Sequence, residues 1–299
     1  LNPVSHYGLW WAYALLGNEY QIIYDLIKIL SSVISVYLIF RFFSDYMSYD
    51  RAIIASFIFV LYPLHDTTLY WYMTLQYILA PAILLYAHHL IRNNKIRKGF
   101  LVTIVGSFLS YASPPYLFGL TVIFLYEKKL KKAIVFATPG ILYVAYYFWM
   151  KFNYAGLERR INSDLSILDF LKQMLIQPLS FLESAIGPSY WLKVFYAIES
   201  IGFISIIIIA MILIFSFIRV KSFSKVRKLP KSLYIGLISV LLLSFGMFAL
   251  TGLYSHSAFN LGNRATVYGS LFIALTGCPF SLYFITMNSG SIPAKPWYP

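Results

Sequence analysis

Between two apolar runs of this chain lies the stretch Leu61-Tyr-Pro-Leu-His-Asp-Thr-Thr-Leu-Tyr-Trp-Tyr-Met-Thr74. An imidazole and a carboxylate, His65 and Asp66, stand side by side there among aromatic rings. Such a pair could deprotonate an acceptor hydroxyl as a general base, or hold a divalent metal through nitrogen and oxygen. Arg159, Arg160 and Arg264 are suited to phosphate, because the planar guanidinium fork makes bidentate, charge-assisted hydrogen bonds. Each has a plainer use as well. Asp66 and Thr67 can cap a helix, Arg159 and Arg160 can snorkel to headgroups, and Arg264 can anchor a helix at the interface. His6, Glu183, His256 and Asn263 complete the candidates, whereas His88 and His89, beside basic residues, read as interfacial. No zinc-ligand spacing and no G-x-S-x-G motif occurs. No cofactor is required by these residues; a divalent metal is the one that the His-Asp pair leaves open.

The elements that would carry these residues are membrane helices. Of 299 residues, 60% are hydrophobic and 12% charged, against about 25% charged in an ordinary soluble domain. Apolar runs of about 20 residues recur, the length that crosses a bilayer as a helix. Alternating ten-residue segments, which would indicate a β-barrel, are absent. The net charge of +13 is no sign of a nucleic-acid partner: 16 of the 24 Lys and Arg fall in 41–51, 91–98, 128–132 and 219–231. These short inter-helix segments orient a membrane protein and meet anionic lipid. The single cysteine, Cys278, excludes an internal disulfide.

Read in order, the chain predicts an all-α, polytopic bundle of about nine crossings. Residues 1–287 form one transmembrane domain and 288–299 a proline-rich tail. After an aromatic segment to Tyr20, crossings are expected near 21–42, 52–63 and 75–91. Next come short helices at 100–111 and 116–126, turning at Pro114-Pro115, and then a crossing at 133–150. The 151–193 loop carries an amphipathic interfacial helix opened by Ser166-x-x-Asp169, a variant of the capping box, and broken at Pro178 and Gly187-Pro188. Crossings at 195–218, 233–253 and 265–287 complete the bundle. The positive-inside rule puts 61–74, 151–193 and 254–264 on the non-cytoplasmic face and the C-terminus in the cytoplasm. Inside the first crossing, Asp25 and Lys28 share a helix face at i,i+3. They either neutralise each other or face a cavity, since charges within a membrane are costly.

The order of segments resembles the multi-pass glycosyltransferases of the GT-C type, which use polyprenyl-phosphate-linked sugars. Asn2-Pro3-Val4-Ser5-His6-Tyr7, followed by Leu15-Leu16-Gly17-Asn18, is similar to the family's R-P-L-S-Y … L-F-G-N segment. Ala52–Trp71 is similar to its helix and turn, with Pro63, His65 and Trp71 at matching places. Ser110–Leu120 takes the place of a short helix pair, and Asn263-Arg264 that of the family's late outer Arg. The family's catalytic acid lies upstream of the R-P-L-S-like segment. This chain starts at that segment, with Asn2 in place of the family's Arg, so the first span and its acid are expected to be missing.

The resemblance implies a membrane glycosyltransferase in a bacterial inner membrane or an ER-type membrane, taking a sugar from a polyprenyl-phosphate donor on the non-cytoplasmic face. With the family's acid missing, Asp66 beside His65 is the carboxylate left to activate the acceptor, at a place other than the family's catalytic one, and Arg264, Arg159 and Arg160 would hold the lipid phosphate. Its partners would be the bilayer and the polyprenyl-phosphate-linked sugar. Two alternatives stay open: a transporter or flippase of a lipid-linked substrate, and a non-catalytic subunit packing its aromatic surface against other membrane subunits.

Overall fold

The structure, a computed structural model, describes residues 3–17, 19–153, 166–200, 202–203, 207, 211, 229–251, 257–259 and 265–276. For residues 5–7, 66, 67 and 251 it describes the backbone alone. Among the described residues it is helical and contains no strand.

Among the described residues, four helical stretches are long and apolar enough to cross a bilayer: Gln21–Phe43, Tyr72–Arg92, Leu130–Asn153 and Lys231–Leu250. We label the helices α1 (Gln21–Phe43), α2 (Tyr49–Val60), α3 (Gln76–Arg92), α4 (Ile96–Leu109), α5 (Ser113–Tyr126) and α6 (Leu130–Asn153). These are followed by α7 (Ile167–Ile186), α8 (Pro188–Glu199), α9 (Lys231–Thr251) and α10 (Val267–Thr276). The nine crossings read from the sequence are therefore only partly found. At 12 residues, α2 is short of a full crossing, and most of 195–218 and all of 277–287 lie outside the described residues.

The bundle is built around α3. Of its most apolar window 83% is buried, against 17% for α1, so α3 is the hub and α1 lies at the margin. Helices α1, α4, α5 and α6 all pack on it. A close crossing joins α5 to α9, where small residues let the backbones meet. A Cβ on Gly119 would stand 2.5 Å from the Val240 amide nitrogen. A Cβ on Gly236 would run into the Ile123 side chain.

Two expectations about proline are corrected. Pro114 and Pro115 do not form the turn between α4 and α5. The turn is Ser110–Ala112, and the prolines fill the first positions of α5, where no backbone N–H has an intrahelical partner. The turn is held instead by Ser110, which accepts the Ala112 amide at 3.1 Å, and by Ser113 Oγ donating to the Gly106 carbonyl at 2.7 Å. Pro178 does not break α7 either; the helix runs through it to Gly187. Gln177, Phe181, Ser184 and Ala185 are buried on its inner face, and that packing, on both sides of the proline, outweighs the one missing ladder bond. The cap at Ser166 forms as expected, accepting from the Asp169 amide at 3.1 Å. Because Asp is one carbon shorter than Glu, its carboxylate takes the Ser166 hydroxyl at 2.6 Å. The outer stripe of α7, Leu168, Leu171, Leu175, Leu179, Leu182 and Ile186, is exposed.

The bundle has two polar ends. Lys28, near the start of α1, bonds the carbonyl of Tyr70, whereas Asp45, just past its end, bonds His89. One end is therefore aromatic, around 61–74, and the other is basic, around 92–95 and 127–132. At the basic end Arg92 bonds both oxygens of Glu127 at 2.8 and 2.9 Å and stacks on the Tyr46 ring at 4.4 Å. Lys129 and Ser232 also bond Glu127.

Candidate functional site

A cavity of about 530 Å³ opens at the aromatic end, within the range of small-molecule sites. It forms where the chain from Asp66 to Thr74 folds across the start of α1. Helix 66–70 stops at Trp71, whose backbone is extended, and a single 3-10 turn, Tyr72–Thr74, leads into α3. Thr74 Oγ locks that turn by donating to the Trp71 carbonyl at 2.8 Å. The turn thereby brings Tyr70, Trp71, Tyr72 and Met73 to the cavity wall, opposite Trp10 and Tyr13 of the N-terminal segment.

From α1 the cavity receives Gln21, Tyr24 and Lys28, one helix face at spacings of three and four. Tyr24 packs between the two walls, with ring centroids 4.7 Å from Tyr72 and 5.8 Å from Tyr13. Its hydroxyl donates to the Gly17 carbonyl at 2.6 Å, tying the N-terminal segment down. Gly17 has φ +66°, a left-handed conformation that costs a side-chain-bearing residue. Lys28 Nζ lies 2.7 Å from Asp25 Oδ1 and donates to the Tyr70 carbonyl at 2.9 Å. Gln21 Nε2 donates to the same Asp25 oxygen at 3.0 Å. Asp25 and Lys28 thus do both things expected of them: they neutralise each other, and Lys28 faces a cavity.

His65 does not line this cavity. Its ring is fully buried, edge-on to Phe59 and Tyr62 at 5.3 and 5.6 Å. Ser270 Oγ donates to the Val267 carbonyl at 3.0 Å and so can accept from His65 Nε2 at 2.8 Å. Burial pushes the His65 pKa down to about 3; the Phe59 and Val60 carbonyls resist that shift and the charge of Lys193 adds to it. The imidazole is neutral at ordinary pH and ties the 61–74 turn to α10. Asp66 begins helix 66–70 directly after it, and its side chain lies outside the described residues. So do Arg159, Arg160, His256, Asn263, Arg264 and the side chain of His6. Glu183 is described and bonds the Ser189 amide at the α7–α8 corner, at 3.2 Å.

The structure moves His88 from the interface to the core. It is fully buried, stacked on Phe124 at 4.2 Å and edge-on to Phe42 and Phe136. His89 stays at the basic end, between Asp45 at 2.9 Å and Arg41 at 3.2 Å. Among the described residues no group of three His, Cys, Asp or Glu could hold a metal ion.

The sequence displays the rings of 70–72 and of 10–13 but not that they face each other across α1. The available signal is the polar stripe Gln21, Tyr24, Asp25, Lys28 on an otherwise apolar helix. Chemically, the cavity offers flat ring faces, an amide, and an ammonium with its counter-ion at one edge. No family model, no curated protein and no solved structure matches this chain.

Proposed function

We propose that this protein is a multi-pass membrane glycosyltransferase of the GT-C type, taking a sugar from a polyprenyl-phosphate donor on the non-cytoplasmic face. The observation that carries this reading is the ring-lined cavity at the end of a membrane-length helix. Ring faces are electron-rich and attract the polarised C–H bonds of a sugar, while amide, carboxylate and ammonium groups bond its hydroxyls and phosphate. An opening at that depth admits a headgroup whose tail stays in the bilayer. In this reading Asp66, five residues before Trp71, is the general base, and His65 positions it by fixing the turn. Arg264, with Arg159 and Arg160, stabilises charge on the departing lipid phosphate. The chain crosses the membrane about nine times, with its C-terminus in the cytoplasm.

The test is transfer of labelled sugar from a polyprenyl-phosphate sugar by the reconstituted protein, together with mass spectrometry of co-purifying lipids. Polyprenyl phosphate in the purified protein, and transfer abolished by Asp66→Asn and by Arg264→Ala, are expected. Only bulk phospholipid and no transfer would overturn the reading. A second reading, transport of the lipid-linked substrate, draws on the Asp25–Lys28 pair within a candidate crossing. Movement of labelled lipid between leaflets without sugar transfer would favour it.

A further inference from the structure

The least expected group at the aromatic end is an ammonium on the face of an apolar helix. Lys28 is seven residues into α1, about 10 Å along its axis from Gln21. Its side chain is only 14% exposed, whereas that of its partner Asp25 is 47% exposed. The cation is thus the enclosed member of the pair and the carboxylate the open one. An ammonium has three donors. Those of Lys28 bond Asp25 and the Tyr70 carbonyl, which leaves one for a ligand among the described residues. Asp25 has a second partner in the Gln21 amide, so it can give up Lys28 without being stranded.

Resting on the lipid-linked-sugar reading, we propose that Lys28 anchors the phosphate of a lipid headgroup in this cavity and that Asp25 is the counter-ion which the phosphate displaces. In the free protein the carboxylate neutralises the ammonium. An arriving phosphate takes its place, a monoester with more charge than the carboxylate and three terminal oxygens, a diester with one charge and two, and Asp25 turns back to Gln21. The Tyr70 carbonyl holds Lys28 in position throughout, which couples the phosphate to the 66–74 turn. Trp71 and Tyr72 then flank whatever the phosphate carries. The chemistry is that of a phosphate ester at the bilayer boundary, from a polyprenyl phosphate or from an ordinary phospholipid.

The test is equilibrium binding to the whole chain in mild detergent, by native mass spectrometry, with a short-chain polyprenyl phosphate, phosphatidylglycerol and inorganic phosphate as probes. Polyprenyl phosphate is expected to bind in preference to the other two. Lys28→Met should weaken it about tenfold or more, and Lys28→Arg should retain it. Asp25→Asn should tighten it, because the competing carboxylate is gone; a purely structural ion pair predicts the opposite. Thermal unfolding of each variant separates lost binding from lost fold, and the Lys28→Arg and Asp25→Asn comparisons remain decisive if Lys28→Met is unstable. Tight binding that ignores Lys28→Met, or an Asp25→Asn variant weakened like Lys28→Met, overturns the anchor and leaves the glycosyltransferase reading standing. Lys28-dependent binding of phosphatidylglycerol equal to that of polyprenyl phosphate keeps the anchor and overturns the donor. No binding of any probe overturns both.

Discussion

Tyr116 and Tyr268 each donate to the backbone at the head of the other's helix. Tyr116 OH bonds the Val267 carbonyl and Tyr268 OH the Ala112 carbonyl, both at 2.7 Å, with the rings stacked at 5.4 Å. This reciprocal clasp fixes α5 against α10 just after Arg264, and α10 also carries the Ser270 that holds His65. Its two halves are unequal, since the Val267 carbonyl also accepts from Ser270. Tyr268→Phe should therefore destabilise the protein by about 1–3 kcal/mol, and Tyr116→Phe by about 0.5–1.5 kcal/mol. Thermal or denaturant unfolding in detergent measures both, and equal costs would show that the Ala112 carbonyl finds another donor.

At the α5–α9 crossing, Gly119→Ala should cost about 1–3 kcal/mol through overpacking, because the new methyl meets the backbone of α9 rather than a side chain that can turn away. Gly246, also on α9, has nothing among the described residues within 4 Å of the place a methyl would take. Gly246→Ala should be neutral or stabilising by up to about 1 kcal/mol. Comparing their unfolding midpoints tests whether close backbone approach, and not glycine itself, matters.

His65 makes stability depend on pH. Its folded pKa, about 3, lies below the ordinary 6.5, so below pH 6.5 the unfolded chain binds a proton that the folded one refuses. Its contribution is undiminished above that pH and falls by about 1.4 kcal/mol per unit as the pH drops from 6.5 toward 3. In His65→Phe, which keeps a ring against Phe59, this slope should vanish from unfolding measured between pH 7 and 5. An unchanged slope would place the titration elsewhere.

Glu127 acts in a lower window. Burial alone would raise its pKa, but hydrogen bonds from Lys129 and Arg92 hold it below the ordinary 4.5. The stability it supplies is present above pH 4.5 and is lost as the pH falls through the depressed value. Glu127→Gln leaves Arg92 in a half-buried site without its counter-charge and should cost about 1–3 kcal/mol at neutral pH, between the exposed and fully buried limits. Unfolding at pH 7 and pH 4 checks both magnitude and direction, and the variant's disadvantage should be smaller at the lower pH.

What the sequence determined by itself is what local physics determines. Apolar runs of membrane length, as in 21–43 and 130–153, cannot be buried otherwise in a chain with so few charges. Basic clusters mark one end of the bundle, and Ser166 with Asp169 starts a helix wherever that segment folds. What only tertiary structure decided depends on neighbours distant in sequence. Pro178 continues a helix because Gln177 and Phe181 are packed on both sides of it. His88 enters the core because Phe42, Phe124 and Phe136 enclose it, and His65 is neutral because packing buries its ring completely, with Ser270 of α10 as its polar partner. The cavity exists because Lys28 reaches Tyr70, 42 residues away. A contact across that separation depends on how three helices pack, which no local spacing encodes.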